Sequence, residues 1–294
     1  MSDIRSAVYV APPVPFQLPN SKSKGGSGGL WSPIASTLIY SGTEAVLVDT
    51  PITIQQTKDL IAWIERIAPE RKLRYIYITH GHGDHFFGLP VLIKQFPKAR
   101  PIATAATLRH IEQQVEEKNF QAQWNSRFPG QIPRPFVLPE ALPPDNQFFL
   151  ENEFQFQAVE VGHTDTYDST VLWVPHLRLA VCGDVAYGQV HQMLGEARTA
   201  AKRHEWVRAI EKVESLDPLY VVPGHCQEGE IHGRWHLTNT KQYIRDFEKV
   251  LEGEPKSPRE IVATMTRLYP DRFNTGAVIL GAMGAFQTAK ESKM

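Results

Sequence analysis

Thr79-His80-Gly81-His82-Gly83-Asp84-His85 packs three imidazoles and a carboxylate into six consecutive residues, 80 to 85. It follows Leu73-Arg74-Tyr75-Ile76-Tyr77-Ile78, an aromatic and branched run that reads as a buried strand. The stretch from Phe86 to Phe96 after it reads as a helix. The cluster therefore belongs on a strand-to-helix loop at the carboxyl end of a strand, where open sheets build their sites. Imidazole and carboxylate are ligands of zinc and similar borderline metals. A His-x-His at a strand end points both rings the same way, because side chains alternate with period two. Asp84 and His85 then enter the first helical turn and can face a second metal position. The two glycines let the backbone approach closely.

The chain around this loop has 294 residues, 42% hydrophobic and 21% charged, enough to bury a proper core. The net charge of −1 and pI of about 6.8 give no electrostatic footprint for nucleic acid. Met1 to Asn20 lacks a basic start followed by an apolar run, and no segment has the length of a membrane helix. Cys182 and Cys226 are the only cysteines, too few for a disulfide framework. A cytoplasmic location with no membrane partner is expected.

Residues 1–33 read as irregular, with Pro12, Pro13 and Pro15 and a Gly/Ser/Lys stretch from Ser21 to Gly29. Trp31 gives residues 21–33 the character of a flap with an apolar tip. Ile34–Tyr40 and Ala45–Asp49 read as strands, followed by a helix over about Thr53–Ile67. Ala105–Trp124 reads as a further helix, with His110 structural or at the surface. Gln147–Val161 divides into a hairpin at Glu151-Asn152. Ser169–Val174, Leu177–Val181 and Leu219–Val222 read as strands. Ala200–Leu216 and Trp235–Leu251 read as helices. Ser257-Pro258 starts another, and the last runs over Asn274–Ala289. A single domain over 1–294 is expected, with 255–294 a helical extension. The small, apolar Gly276–Phe286 stretch leaves monomer and homodimer both open.

His80-x-His82-x-Asp84-His85 resembles the metal motif of the metallo-β-lactamase superfamily. The family's other motifs follow in order: Asp49, then Gly162-His163, Gly183-Asp184 and Gly224-His225. The resemblance covers about residues 30–240 and implies an α/β fold, a four-layer αββα sandwich with the metals between the sheets. It implies two zinc ions. His80, His82 and His163 would hold the first, Asp84, His85 and His225 the second, with Asp184 bridging and Asp49 supporting the loop. The chemistry implied is hydrolysis by a hydroxide held between the metals, with Asp84 or bound water carrying the proton to the leaving group.

His82 stands where the diiron branch has Glu, which favours hydrolytic zinc. Tyr187 sits three residues after Asp184, as in the acyl-homoserine lactonase branch, where such a hydroxyl can bond the substrate carbonyl or its oxyanion. Glyoxalase II shares the seven ligands, but Lys256, Arg259, Arg267 and Arg272 do not fall in its glutathione-binding pattern. A sulfur dioxygenase with one iron is the redox alternative. Trp31, Phe86, Phe87, Tyr187 and Trp235 suggest a small, fairly apolar substrate. The chain as a whole resembles fungal lactamase-type members that detoxify benzoxazolinone-type lactams. A lactamase or lactonase is the reading these residues support. His191, His204, His232 and His236 read as surplus, mostly structural, and both cysteines as small buried residues.

Overall fold

The computed structural model describes residues 3–18 and 27–291. The chain runs β1 (Arg5–Ala11), β2 (Pro15–Gln17), β3 (Ser27–Leu30), β4 (Ile34–Tyr40), β5 (Glu44–Val48), α1 (Ile54–Ile67) and β6 (Lys72–Tyr77). Then come α2 (Leu89–Gln95), β7 (Arg100–Ala103), α3 (Ala105–Val115), α4 (Glu117–Phe120) and β8 (Glu140–Ala141). The second half holds β9 (Gln147–Leu150), β10 (Phe154–Gly162), β11 (Ser169–Val174), β12 (Leu179–Val181), α5 (Ala200–Glu214) and β13 (Tyr220–Val222). It closes with α6 (Trp235–Glu252), α7 (Pro258–Leu268) and α8 (Thr275–Glu291).

One sheet has the strand order β1-β4-β5-β6-β7-β8, the other β13-β12-β11-β10-β9. Period-two alternation splits their side chains between two layers of core. Ile39, Val46, Val48 and Tyr77 of the first sheet meet Phe148, Phe156, Leu172 and Val181 of the second. Their sequence neighbours Leu38, Leu47 and Ile76 face outward and pack with Leu60 and Ile64 of α1 and Leu92 of α2. On the far side Val171, Ala180 and Val221 pack with Trp206 of α5, Phe247 of α6, Met265 of α7 and Val278 of α8. The result is the expected αββα order of layers, with both carboxyl-terminal helices in the outer layer of the second sheet.

Two expectations are corrected. Residues 1–33 are not all irregular: β1 pairs antiparallel with β4 over its whole length, and β2 pairs with β3. Arg5–Ala11 ends just before Pro12, so the prolines stand in the connection and at the start of an edge strand, where a missing N–H costs no ladder bond. The flap expectation for residues 21–26 lies outside the described residues. The single helix expected over Ala105–Trp124 is broken at Glu116, whose extended ψ of 130° separates α3 from α4.

β5 and β6 run parallel, as do β12 and β13, so their carboxyl ends open on one edge of the sandwich. The sheets are tied together there. The Thr170 N–H and hydroxyl both donate to the Thr79 carbonyl, at 3.0 and 2.6 Å, and the Ala35 N–H donates to that of Gly224 at 2.8 Å.

Candidate metal centre

The loop after β6 carries His80, His82, Asp84 and His85 to this edge, with residues 83–85 forming a short 3₁₀ turn. Asp184 follows β12 and His225 follows β13. Each of four imidazoles is held by its outer nitrogen. His85 Nδ1 donates to Asp49 Oδ2 at 2.9 Å, and His225 Nδ1 to the Pro33 carbonyl at 2.8 Å. The Thr79 hydroxyl donates to Asp49 Oδ2 at 2.8 Å, so His80 Nδ1, 3.0 Å away, donates to Thr79. His82 Nε2 lies 3.2 Å from Glu196 Oε1. With the outer nitrogen protonated, the inner one keeps its lone pair, the arrangement that metal-binding histidines adopt.

Those inner nitrogens face carboxylates. His85 Nε2 lies 3.3 Å from Asp184 Oδ1, and His225 Nε2 lies 3.4 Å from Asp184 Oδ2 and 3.5 Å from Asp84 Oδ2. His82 Nδ1 lies 2.8 Å from Asp165 Oδ2, and His80 Nε2 3.8 Å from the same atom. Two groups therefore converge with ligand atoms within 4.8 Å of one another: His80, His82 and Asp165, and Asp84, His85 and His225. A third grouping, Asp49 with His80 and His85, shares its imidazoles with them. Asp49 itself is occupied by the Thr79 N–H at 2.9 Å, by the Thr79 hydroxyl and by His85, so it props the loop.

The carboxylates are held too. Trp31 Nε1–H donates to Asp84 Oδ2 at 2.9 Å, and the Tyr187 hydroxyl to Asp184 Oδ2 at 2.5 Å. The Thr164 hydroxyl donates to Asp165 Oδ1 at 2.9 Å.

Burial opposes charge on all of these groups. At His80 it wins, aided by His85, and the imidazole is pushed below its ordinary range. At His82 the facing Asp165 outweighs it, at His85 Asp184 and Asp49 do, and at His225 Asp184 and Asp84 lift the pKa to about 10. Asp84 and Asp184 are held below the usual carboxylate range by His225 and His85. His80 Nε2, His85 Nε2, Asp165 Oδ2 and Asp184 Oδ1 are buried without a hydrogen-bond partner. Inward lone pairs and anions that face each other, dry and unpartnered, call for positive charge at their centre, and a metal ion fits them.

The structure brings together His80, His82, Asp84, His85, Asp184 and His225. It does not bring in His163. That residue is half-buried at the end of β10, its Nδ1 has no partner, and it joins neither convergent group. Asp165, two residues on, faces His82 instead. Tyr187 is buried, stacks on His225 at 5.6 Å, and donates its hydroxyl proton to Asp184. Phe86 and Phe87 are buried in the core. Trp31 does reach the site, with Phe16, Trp124 and Phe128 around its ring. His110 is buried and stacks on Tyr167 at 4.0 Å, beside His82. Both cysteines are buried and free, as expected.

Asp165 and Glu196 were missed from sequence, and Trp31 was expected as an apolar flap tip and not as a hydrogen-bond donor to Asp84. Asp165 stood beside a quoted motif and carried the only available signal: a carboxylate within two residues of a presumed ligand.

A four-layer αββα sandwich with a histidine and carboxylate cluster at its open edge defines a class of metal-dependent hydrolases. The chain belongs to the metallo-β-lactamase superfamily: the model of the family described as "Metallo-beta-lactamase superfamily" matches residues 29–225. It is similar to a "Metallo-beta-lactamase type 2" of Bacteroides fragilis, 23% identical over 221 residues, 74% of this chain and 78% of that one. Among solved structures it resembles a metallo-β-lactamase from Pontibacter korlensis at TM-score 0.57 and 17% identity, over 84% of this chain and 100% of the other. It also resembles the DIM-1 metallo-β-lactamase exposed to ceftazidime, at TM-score 0.58 and 19% identity, over 83% and 97%. Among the described residues no helix is long and apolar enough to cross a membrane.

Proposed function

We propose that the protein is a dinuclear zinc hydrolase that opens a small cyclic amide or ester, with benzoxazolinone-type lactams the first class to try. The observation that supports this is the pair of convergent His/Asp groups, with Asp184 against His85 and His225 of one of them. On this reading His80, His82 and Asp184 contribute to one zinc site, and Asp84, His85, His225 and Asp184 form the other. When bound, the zinc ions supply a water of lowered pKa and a Lewis acid for the carbonyl oxygen.

The chain's own groups do the rest. Asp49, Thr79, Glu196 and the Pro33 carbonyl keep the imidazole lone pairs aimed inward. Asp84, held by the Trp31 indole beside His225, is placed to carry a proton to the leaving nitrogen or oxygen. Tyr187 acts through Asp184 as a positioning residue. The half-buried Trp31 ring offers a flat apolar wall against which a small heterocycle can stack. The cyclic-amide arm is favoured by the lactamase relatives. We place the protein in the cytoplasm as a monomer or homodimer, acting on a small molecule.

The glyoxalase II alternative is weakened. Arg272, one of four cations it had to draw on, is buried, donates to the Val190 carbonyl and stacks on Tyr243 and Tyr269. The test is metal content measured beside hydrolysis of a homoserine lactone, a γ-lactam, benzoxazolinone and a glutathione thioester. Two zinc ions per chain with ring opening is the expected result. One iron per chain, no hydrolysis, and oxygen uptake with persulfide would replace this reading with the dioxygenase one.

A further inference from the structure

We propose that Asp165, and not His163, completes the first metal pocket, an inference that rests on the metallohydrolase reading above. Asp165 has no exposed side-chain surface, and its Oδ2 is within 4 Å of the inner nitrogens of both His82 and His80. Oδ1 takes the Thr164 hydroxyl, while Oδ2 has no hydrogen-bond donor. A dry carboxylate oxygen aimed at two imidazole lone pairs is costly unless a cation lies between them.

The local backbone explains why residue 165 faces inward. β10 bulges between Glu160 and Gly162, and Gly162 has a φ of +88°. The Thr164 N–H then donates to the Thr166 carbonyl at 2.7 Å, and the Thr164 hydroxyl to Ser169 Oγ at 2.8 Å. His163 on this turn joins neither convergent group, and the charges it feels are those of Lys202, Asp165, Glu205 and Glu196. The Thr166 hydroxyl fixes Glu196 at 2.8 Å, and Glu196 in turn holds the outer nitrogen of His82. One loop thus supplies the ligand and braces its neighbour.

Each pocket then has two imidazoles and a carboxylate of its own, His80, His82 and Asp165 against His85, His225 and Asp84, with Asp184 between them. Three carboxylates face two dications in place of two. The added oxygen donor makes the first pocket harder, so it tolerates manganese or iron better than a three-imidazole pocket would.

The experiment compares wild type with Asp165→Asn and His163→Ala. It reads metal per chain by elemental analysis and the visible spectrum of the cobalt-loaded protein, with circular dichroism as the folding control. Wild type should hold two ions, Asp165→Asn about one with a changed cobalt spectrum, and His163→Ala two with the spectrum unchanged. If Asp165→Asn fails to fold, His163→Ala decides alone: two ions retained support the proposal, and one ion lost overturns it. Loss of one ion from His163→Ala with two retained in Asp165→Asn would overturn the proposal and leave the metallohydrolase reading standing. A wild type that takes up no metal would instead defeat the reading on which it rests.

Discussion

The Tyr187 hydroxyl is buried, and its proton already belongs to Asp184. Burial and the Asp184 charge both push its pKa above the ordinary phenol range, so it stays a donor at any working pH. On the dinuclear reading, removing that donor loosens the carboxylate that both pockets would share. Tyr187→Phe should therefore keep the fold, weaken metal affinity by about 10- to 100-fold and lower kcat at saturating metal. A variant with unchanged affinity and a raised KM alone would mean that Tyr187 touches substrate instead. Of the eight residues in the five motifs, the four in 80–85 were readable as chemistry because their spacing is local, and the others by their order along the chain. Their props were not. Trp31 lies 53 residues from Asp84 and Glu196 lies 114 from His82, so only the closed sandwich brings them together. If Asp165 completes the first pocket as proposed, a two-residue difference along a turn, invisible in composition, sets it apart from His163.

Strands and helices with a strong period were legible, and the exceptions have physical causes. β1 alternates as a strand should, but three prolines just beyond it masked the signal. The break at Glu116 has no Gly or Pro to announce it. Surplus histidines could be recognised as structural without showing what they do, and His191 gives the clearest case. It lies in the loop after Tyr187, with its Nδ1 2.9 Å from the Tyr243 hydroxyl of α6 and its backbone N–H on the Phe273 carbonyl. Burial, and secondarily the Arg272 charge, lower its pKa from the ordinary 6.5 to about 4. The fold therefore favours the neutral ring. That contribution is present above pH 6.5 and is lost as pH falls from 6.5 through 4. His191→Gln keeps a hydrogen-bonding group without the titration. Its melting temperature should fall less steeply than that of wild type across this window, and parallel curves would show that His191 does not couple α6 to pH.

The two sheets meet their helices through separate outer cores and meet each other through a third, so the open edge is where little apolar surface joins them. There the ligand residues come from both sides. His80, His82, Asp84 and His85 follow a strand of the first sheet, and Asp184 and His225 follow strands of the second. Without a metal ion, protons on His82, His85 and His225 are what offset the facing carboxylates across the gap. Metal should therefore act as a clamp between the sheets as well as a cofactor. At free metal about 100-fold above Kd the linkage is worth about 3 kcal/mol, and in a chain of this size each kcal/mol moves Tm by roughly 2–4 °C. Chelation should thus lower Tm on the order of 5–10 °C, and zinc should restore it. Asp184→Asn, which removes the shared charge, should show little response to either treatment, because neither pocket is then complete. A wild-type Tm indifferent to chelator, with metal verified as removed, would mean that the hydrogen bonds from Thr170 to Thr79 and from Ala35 to Gly224 hold the edge by themselves.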